Sequence, residues 1–253
     1  GRLVDGGDCG DTYNWCPPTA DTLVDRPDHV DVSVVERGPA RARVAITARH
    51  RWPVRREGLA RRSDATVEHE VRTVVELRAG EGAARVEVRL DNAARDHRLR
   101  AHFPLPGLAT TSRAECAYGT VERGLVAEGG PTEAPLPTYP AQRFVQAGGL
   151  TVVHDGVTEY ELVDLDGDGA GELALTLLRS SGMLSQAPMA TRPLPAGPLI
   201  PLAGSQLQGP VTRSYAVAVG DVDPYALGDE VLVPLRVAQA TAGGDLPPAG
   251  TGL

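Results

Sequence analysis

Thirteen residues near the N-terminus, Gly6-Gly7-Asp8-Cys9-Gly10-Asp11-Thr12-Tyr13-Asn14-Trp15-Cys16-Pro17-Pro18, combine flexible glycines, two carboxylates, an amide, two aromatics and a Pro-Pro stop. A β-strand needs nothing so elaborate to begin it. Cys9 and Cys16 could be imagined as metal ligands, but no second Cys or His pair at a usable spacing accompanies them, so buried or idle thiols are the simpler reading. A second group, His154, Asp155, Glu159 and Tyr160, surrounds one tight turn. A His beside a carboxylate could do acid–base work on a sugar ring, although a hairpin with a hydrogen-bonded His is the commoner cause. Asp164, Asp166 and Asp168 open like a calcium loop, yet Leu175 stands where the bidentate Glu belongs. Asp-Gly-Asp-Gly between apolar strands is also a strong hairpin turn, which is the preferred reading. His97 and His102, five apart in a strand, point to opposite faces and cannot share a metal, so both are expected to be structural. No Gly-x-Ser-x-Gly, P-loop or His-Glu-x-x-His occurs.

The elements that carry these groups show a period of two. Val30, Val32 and Val34 alternate with Asp31 and Ser33, and Val67, His69, Val71, Thr73, Val75 and Leu77 alternate with a largely charged set, as half-buried strands do. Val44 and Ile46, then Val86, Val88 and Leu90, continue the pattern, with turns at Gly38-Pro39 and Gly80-Glu81-Gly82. The first half reads as a meander of long antiparallel strands. Shorter strands are predicted at 150–154, 158–163, 172–178, 214–219 and 231–237. No convincing helical stripe is present, and 21 Pro with 29 Gly would break most attempts at one. The predicted fold is all-β, a large two-sheet antiparallel sandwich over residues 1–238, with 239–253 as a linker or tail.

Bulk properties exclude some partners. The 253 residues carry a formal charge of -8, from 33 acidic against 25 basic residues, and every basic residue is Arg. A nucleic-acid or anionic-membrane surface would need a basic excess. There is neither a run of about 18 apolar residues nor a signal-peptide pattern. Three cysteines are too few for a disulfide framework in a chain this long, which favours a reducing cytoplasm.

"GDTYNWCPP" (10–18), "LDNAARDHRLRAHFP" (90–104), "QRFVQAGGLTVVHDGVTEYEL" (142–162), "ELALTLLRSSGMLS" (172–185) and "TRPLPAGP" (191–198) together resemble the C-terminal β-region of glycoside hydrolase family 38 α-mannosidases. Bacterial, mannosylglycerate hydrolase-like members look most similar. The resemblance runs in order from about Gly6 to Val237.

It implies a β-supersandwich similar to galactose mutarotase. It also implies that the nucleophilic aspartate and the His and Asp ligands of a catalytic zinc belong to an N-terminal α/β domain outside these residues. No cofactor is then expected in this chain, which looks like an excised piece of a longer enzyme. The partners implied are an α-mannoside and the catalytic domain of the same polypeptide; a homo-oligomer is compatible with this reading. In the family, a Tyr in a Gly/Asp-rich turn contacts the bound mannose, and Tyr13 matches it. Tyr offers an aromatic surface to sugar C–H groups and a hydroxyl to sugar oxygens. Asp11 and Asn14 could bind sugar hydroxyls or only hold the turn. Arg192 is the nearest match to a basic residue that reaches the pocket in some members, or it pairs with a surface carboxylate. The alternative is a stand-alone carbohydrate-binding module or an aldose epimerase using His154 and Glu159. A mutarotase needs such a pair converging in an open cleft, whereas both residues are expected here on one hairpin.

Overall fold

The computed structural model describes residues 1–233, and within them the chain is mostly strand. The first half holds β1 (Arg2–Gly7), β2 (His29–Arg37), β3 (Arg41–Pro53), the short β4 (Arg56–Glu57) and β5 (Arg61–Arg62), β6 (Thr66–Arg78), β7 (Ala84–Asn92) and β8 (His97–Ala109). The second half adds β9 (Thr111–Cys116), β10 (Gly119–Gly124), β11 (Thr138–Ala141), β12 (Phe144–Ala147), β13 (Leu150–His154), β14 (Thr158–Val163), β15 (Ala170–Ser180) and β16 (Gly209–Val219). One α-helix, α1 (Pro224–Leu232), follows.

A nine-stranded sheet, in the order β10-β9-β12-β13-β16-β7-β6-β3-β2, faces a five-stranded sheet, β1-β8-β15-β14-β11. This is the expected antiparallel sandwich, and β2, β3, β6 and β7 form the expected meander. Its longest ladder runs from Arg41 opposite Arg78 to Pro53 opposite Thr66. The alternation of β3, β6 and β7 has a direct cause, whereas β2, at the edge of the larger sheet, leaves Val30, Val32 and Val34 all exposed and is not the half-buried strand that its alternation predicts. Successive side chains leave opposite faces, so only every second residue can enter the layer between the sheets. Leu99, Phe103, Leu173 and Leu175 of the smaller sheet meet Val71, Val88, Val152 and Tyr215 of the larger one in a single core. The rings of Phe103 and Tyr215 meet edge to face, 5.4 Å apart. Burying each such apolar side chain contributes about 1.5–3 kcal/mol.

Two further expectations are corrected. Residues 154–160 do not form a hairpin, because β13 pairs with β12 and β16 while β14 pairs with β11 and β15. Both edges of β13 are already occupied, so the turn at 155–157 carries the chain across to the other sheet. The predicted strand at 231–237 is also not one: Val231 and Leu232 end α1, and residues 234–237 lie outside the described residues, as do the 238/239 boundary and the tail. The helix starts because the Asp223 carboxylate accepts from the N–H of Tyr225 at 2.9 Å and of Ala226 at 3.4 Å, with Pro224 preset in the first turn. Tyr225 then packs edge to face on Phe144 at 5.0 Å. The 164–168 segment is the turn expected: β14 and β15 are antiparallel neighbours, and Asp164 Oδ1 accepts from Gly167 N at 2.7 Å, where φ is +82°.

Candidate functional site at the 8–16 loop

β1 runs antiparallel to β8, which sets Gly6 opposite Arg98 and Gly7 opposite His97 and releases the chain into the 8–16 loop. The loop closes on itself through Cys9 N to Cys16 O at 2.7 Å and Asp11 N to Asn14 O at 3.1 Å. Asp11 Oδ1 accepts from the N–H of Tyr13 at 3.0 Å and of Asn14 at 3.1 Å, a side-chain substitute for a backbone turn. Glycine is obligatory at position 10, where a Cβ would sit 1.9 Å from the Asn14 carbonyl oxygen.

Docking is equally specific. Thr12 N donates to Met183 O at 3.2 Å and its hydroxyl to Leu184 O at 2.6 Å. Gln186 donates its N–H to Asp11 Oδ2 at 2.8 Å and its amide to Cys9 O at 3.0 Å. Cys9, Cys16 and Met189 make a small apolar cluster beneath. Both thiols are free and buried, and burial pushes the Cys9 thiol up to about 11.

Two buried ion pairs lock the arrangement. Arg179 Nε lies 2.8 Å from the Asp8 carboxylate, and the Arg192 guanidinium closes on Asp11 Oδ2 and Asn14 Oδ1. The carboxylates respond differently. Burial dominates at Asp8 and lifts its pKa above the ordinary value against the pull of Arg179. Burial also raises Asp11, but the N–H donors of Gln186, Asn14 and Tyr13, together with Arg192, outweigh it and hold the pKa low.

Asp11, Tyr13, Asn14 and Arg192 are thus brought together, in unequal roles. Asp11 is fully buried and Arg192 only 6% exposed, so neither presents a free polar group to solvent. Tyr13 is 53% exposed, with the Arg192 Cζ 5.8 Å from its ring centroid. Tyr13, Asn14 and Trp15 form one wall of a cleft of about 360 Å³ whose other walls include Glu128, Glu133, Thr138 and Glu159.

Sequence reasoning missed several supports. Trp15 donates Nε1 to Gly7 O at 2.9 Å and carries the Arg98 guanidinium 3.5 Å from its ring centroid. Burial lowers the Arg98 pKa to about 10, with Arg100 adding to the effect and Glu159 and Glu161 opposing it. Trp15 stood inside the quoted motif and was readable as a candidate. Arg98 and Gln186 come from a distant strand and loop and gave no local signal, whereas Glu159 was read with the His154 turn and not with this loop.

The second candidate group divides. His154 and Glu159 line one cavity of about 600 Å³ between the sheets. His154 Nδ1 meets Gly156 O at 2.9 Å, and burial lowers the imidazole pKa despite that bond. Glu159 accepts from Thr176 Oγ1 at 3.0 Å and pairs with Arg98 at 3.4 Å. Glu159 is thus held by its own partners, while His154 Nε2 is buried without one. His97 and His102 pair separately as well, with Asp5 at 2.6 Å and Glu172 at 2.8 Å. Among the described residues no three of His, Cys, Asp and Glu converge as metal ligands, and no helix is long and apolar enough to cross a membrane.

Residues 4–183 match the model of the glycosyl hydrolases family 38 C-terminal domain. A Halalkalibacterium halodurans protein named "Putative mannosylglycerate hydrolase" is 34% identical over 137 residues, 52% of this chain and 14% of that protein. An α-mannosidase structure from Enterococcus faecalis V583 aligns with a TM-score of 0.70 at 24% identity, covering 86% of this chain and 25% of that one. A second Enterococcus faecalis structure, of a protein in the glycosyl hydrolase family 38, gives a TM-score of 0.68 at 25% identity over 86% and 26% of the two chains. The chain therefore spans a small part of each relative's length. The family match covers well over half of this chain, from β1 past the end of β15, and the chain belongs to the glycosyl hydrolase family 38 C-terminal domains.

Proposed function

We propose that this domain packs on the catalytic domain of a longer family 38 α-mannosidase and lends the 8–16 loop to the edge of its mannose pocket. The observation that carries the reading is the division of labour within the loop. Asp11 and Arg192 are consumed in holding the turn, and Tyr13 is left exposed at the mouth of a cleft. Arginine only donates, so Arg192 takes the Asn14 amide oxygen and leaves Asn14 Nδ2 to donate to a sugar hydroxyl beside the Tyr13 ring.

The nucleophile and the zinc are assigned to the catalytic domain. Isolated, the chain should not hydrolyse aryl α-mannosides, with or without added zinc. The free thiols support a reducing cytoplasm as its compartment. The test is Tyr13→Ala in the full-length enzyme, read as kcat/KM on an aryl α-mannoside. A decrease supports the loop's place at the pocket, and an unchanged value sinks it.

A further inference from the structure

The segment that supplies Arg192 continues into an apolar stretch that the described residues leave uncovered. Leu194, Leu199, Ile200 and Leu202 are between 38% and 64% exposed, and no charged residue occurs from Pro193 to Gln206. The backbone beneath them is firmly held. Pro193, Pro195, Pro198 and Pro201 restrict its dihedral angles. Ser185 Oγ accepts from the N–H of Ala196 at 3.0 Å and of Gly197 at 3.2 Å, Leu184 donates its N–H to Ile200 O at 2.9 Å, and Leu202 donates its own to Gly182 O at 2.9 Å. Exposed aliphatic side chains clustered in this way mark an interaction surface, and a backbone fixed in advance lowers the ordering cost of using it.

The stretch adjoins the 8–16 loop. Leu184, whose N–H goes to Ile200, accepts the Thr12 hydroxyl at 2.6 Å with its carbonyl oxygen, and a Cβ on Gly197 would stand 2.9 Å from Tyr13 Oη. A body that carries a sugar pocket to Tyr13 therefore has this segment as its immediate neighbour. The chain spans only 25% and 26% of the two Enterococcus faecalis structures, so a parent of that length has further surface with which to cover the segment. We propose that Leu194, Leu199, Ile200 and Leu202 dock against an apolar surface of the catalytic domain of the same polypeptide. The inference rests on the reading that the 8–16 loop lies at the mannose pocket. An aliphatic contact without charges suits the core of a permanent interface, where charged residues are depleted.

The experiment measures maleimide labelling of Leu199→Cys and, separately, Leu165→Cys in the full-length enzyme. Leu165 is an exposed control in the turn before β15, whereas Arg179, near the other end of that strand, reaches Asp8. At about 3.3 Å per residue the strand puts roughly 30 Å between the two ends. Leu199→Cys should label at least roughly tenfold more slowly than the control, at every enzyme concentration. Equal rates overturn the proposal. So does protection that is lost on dilution, because a second copy is then the cover. Photo-leucine in place of Leu199, which hardly alters the side chain, should cross-link to the catalytic domain. Cross-links confined to another part of this chain or to a second copy also overturn it. Tyr13→Ala separates the two levels. If it lowers kcat/KM while Leu199→Cys labels like the control, the loop is at the pocket and only the docking of this segment is wrong. If it changes nothing while Leu199→Cys is protected and cross-links reach the catalytic domain, the docking stands and the pocket assignment falls.

Discussion

The Arg192 guanidinium bridges the buried Asp11 carboxylate and the Asn14 amide oxygen while lying 5.8 Å from the centre of the Tyr13 ring. One side chain thereby fixes both ends of the Asp11–Asn14 turn and the attitude of the aromatic group between them. Removing it leaves Asp11 buried without its countercharge. Arg192→Ala should cost about 3–5 kcal/mol, the range for breaking a buried pair from one side. Arg192→Lys, which keeps the charge and loses the planar fork, should cost less. Urea denaturation of the chain reads both, and a loss below about 1 kcal/mol for the Ala variant would show that the clamp does not hold the loop.

Gly10→Ala tests the same loop through its backbone. The added methyl would sit 1.9 Å from Asn14 O and 2.9 Å from Cys16 N, and backbone atoms cannot step aside as a flexible side chain can. A destabilisation of about 1–3 kcal/mol is expected. Gly82→Ala is the control, because a Cβ there meets nothing within 4 Å. Equal midpoints for the two variants would contradict the crowded geometry.

Tyr13→Ala should lower kcat/KM of the full-length enzyme by roughly ten- to hundredfold, the loss of a contact of about 1–3 kcal/mol. Tyr13→Phe should fall between the variant and the wild type. Because the residue is half exposed, the unfolding midpoint of the chain should change little. Strong destabilisation with intact catalysis would make Tyr13 a packing residue instead.

Burial holds the imidazoles of His50, His69, His102 and His154 below their ordinary pKa. In the unfolded chain each takes up a proton near pH 6.5, and in the folded chain only at lower pH. Below pH 6.5 the unfolded state therefore binds more protons. Stability present above that value is lost as pH falls through it toward the folded pKa values. Each titrating His contributes a slope of up to about 1.4 kcal/mol per pH unit. Urea midpoints at pH 7.5 and 5.5 measure the loss. His50→Phe, which keeps a ring against Trp52, should reduce it. A midpoint that does not fall between these pH values would refute the assignment.

The strands of the meander were legible in the sequence because their pattern is local. Val67 to Leu77 alternates residue by residue, and the turn glycines between strands declare themselves where they stand. Tyr13 and its loop companions were legible as a motif for the same reason. The start of α1 is also written locally, in the capping carboxylate of Asp223 before Pro224, but the strand prediction at 231–237 rested on its Val-rich pattern and did not use that signal.

Only the tertiary structure decided the rest. Whether β13 and β14 make a hairpin depends on which strands occupy their edges: β12 and β15 are their immediate neighbours in the chain, but β16, which takes the other edge of β13, begins only at Gly209. Whether Asp11 faces a ligand or a partner depends on Gln186 and Arg192, more than 170 residues away. Composition and spacing report what a residue can do. Burial and the identity of distant partners determine which of those capacities remains free, and in this loop that is the exposed ring of Tyr13.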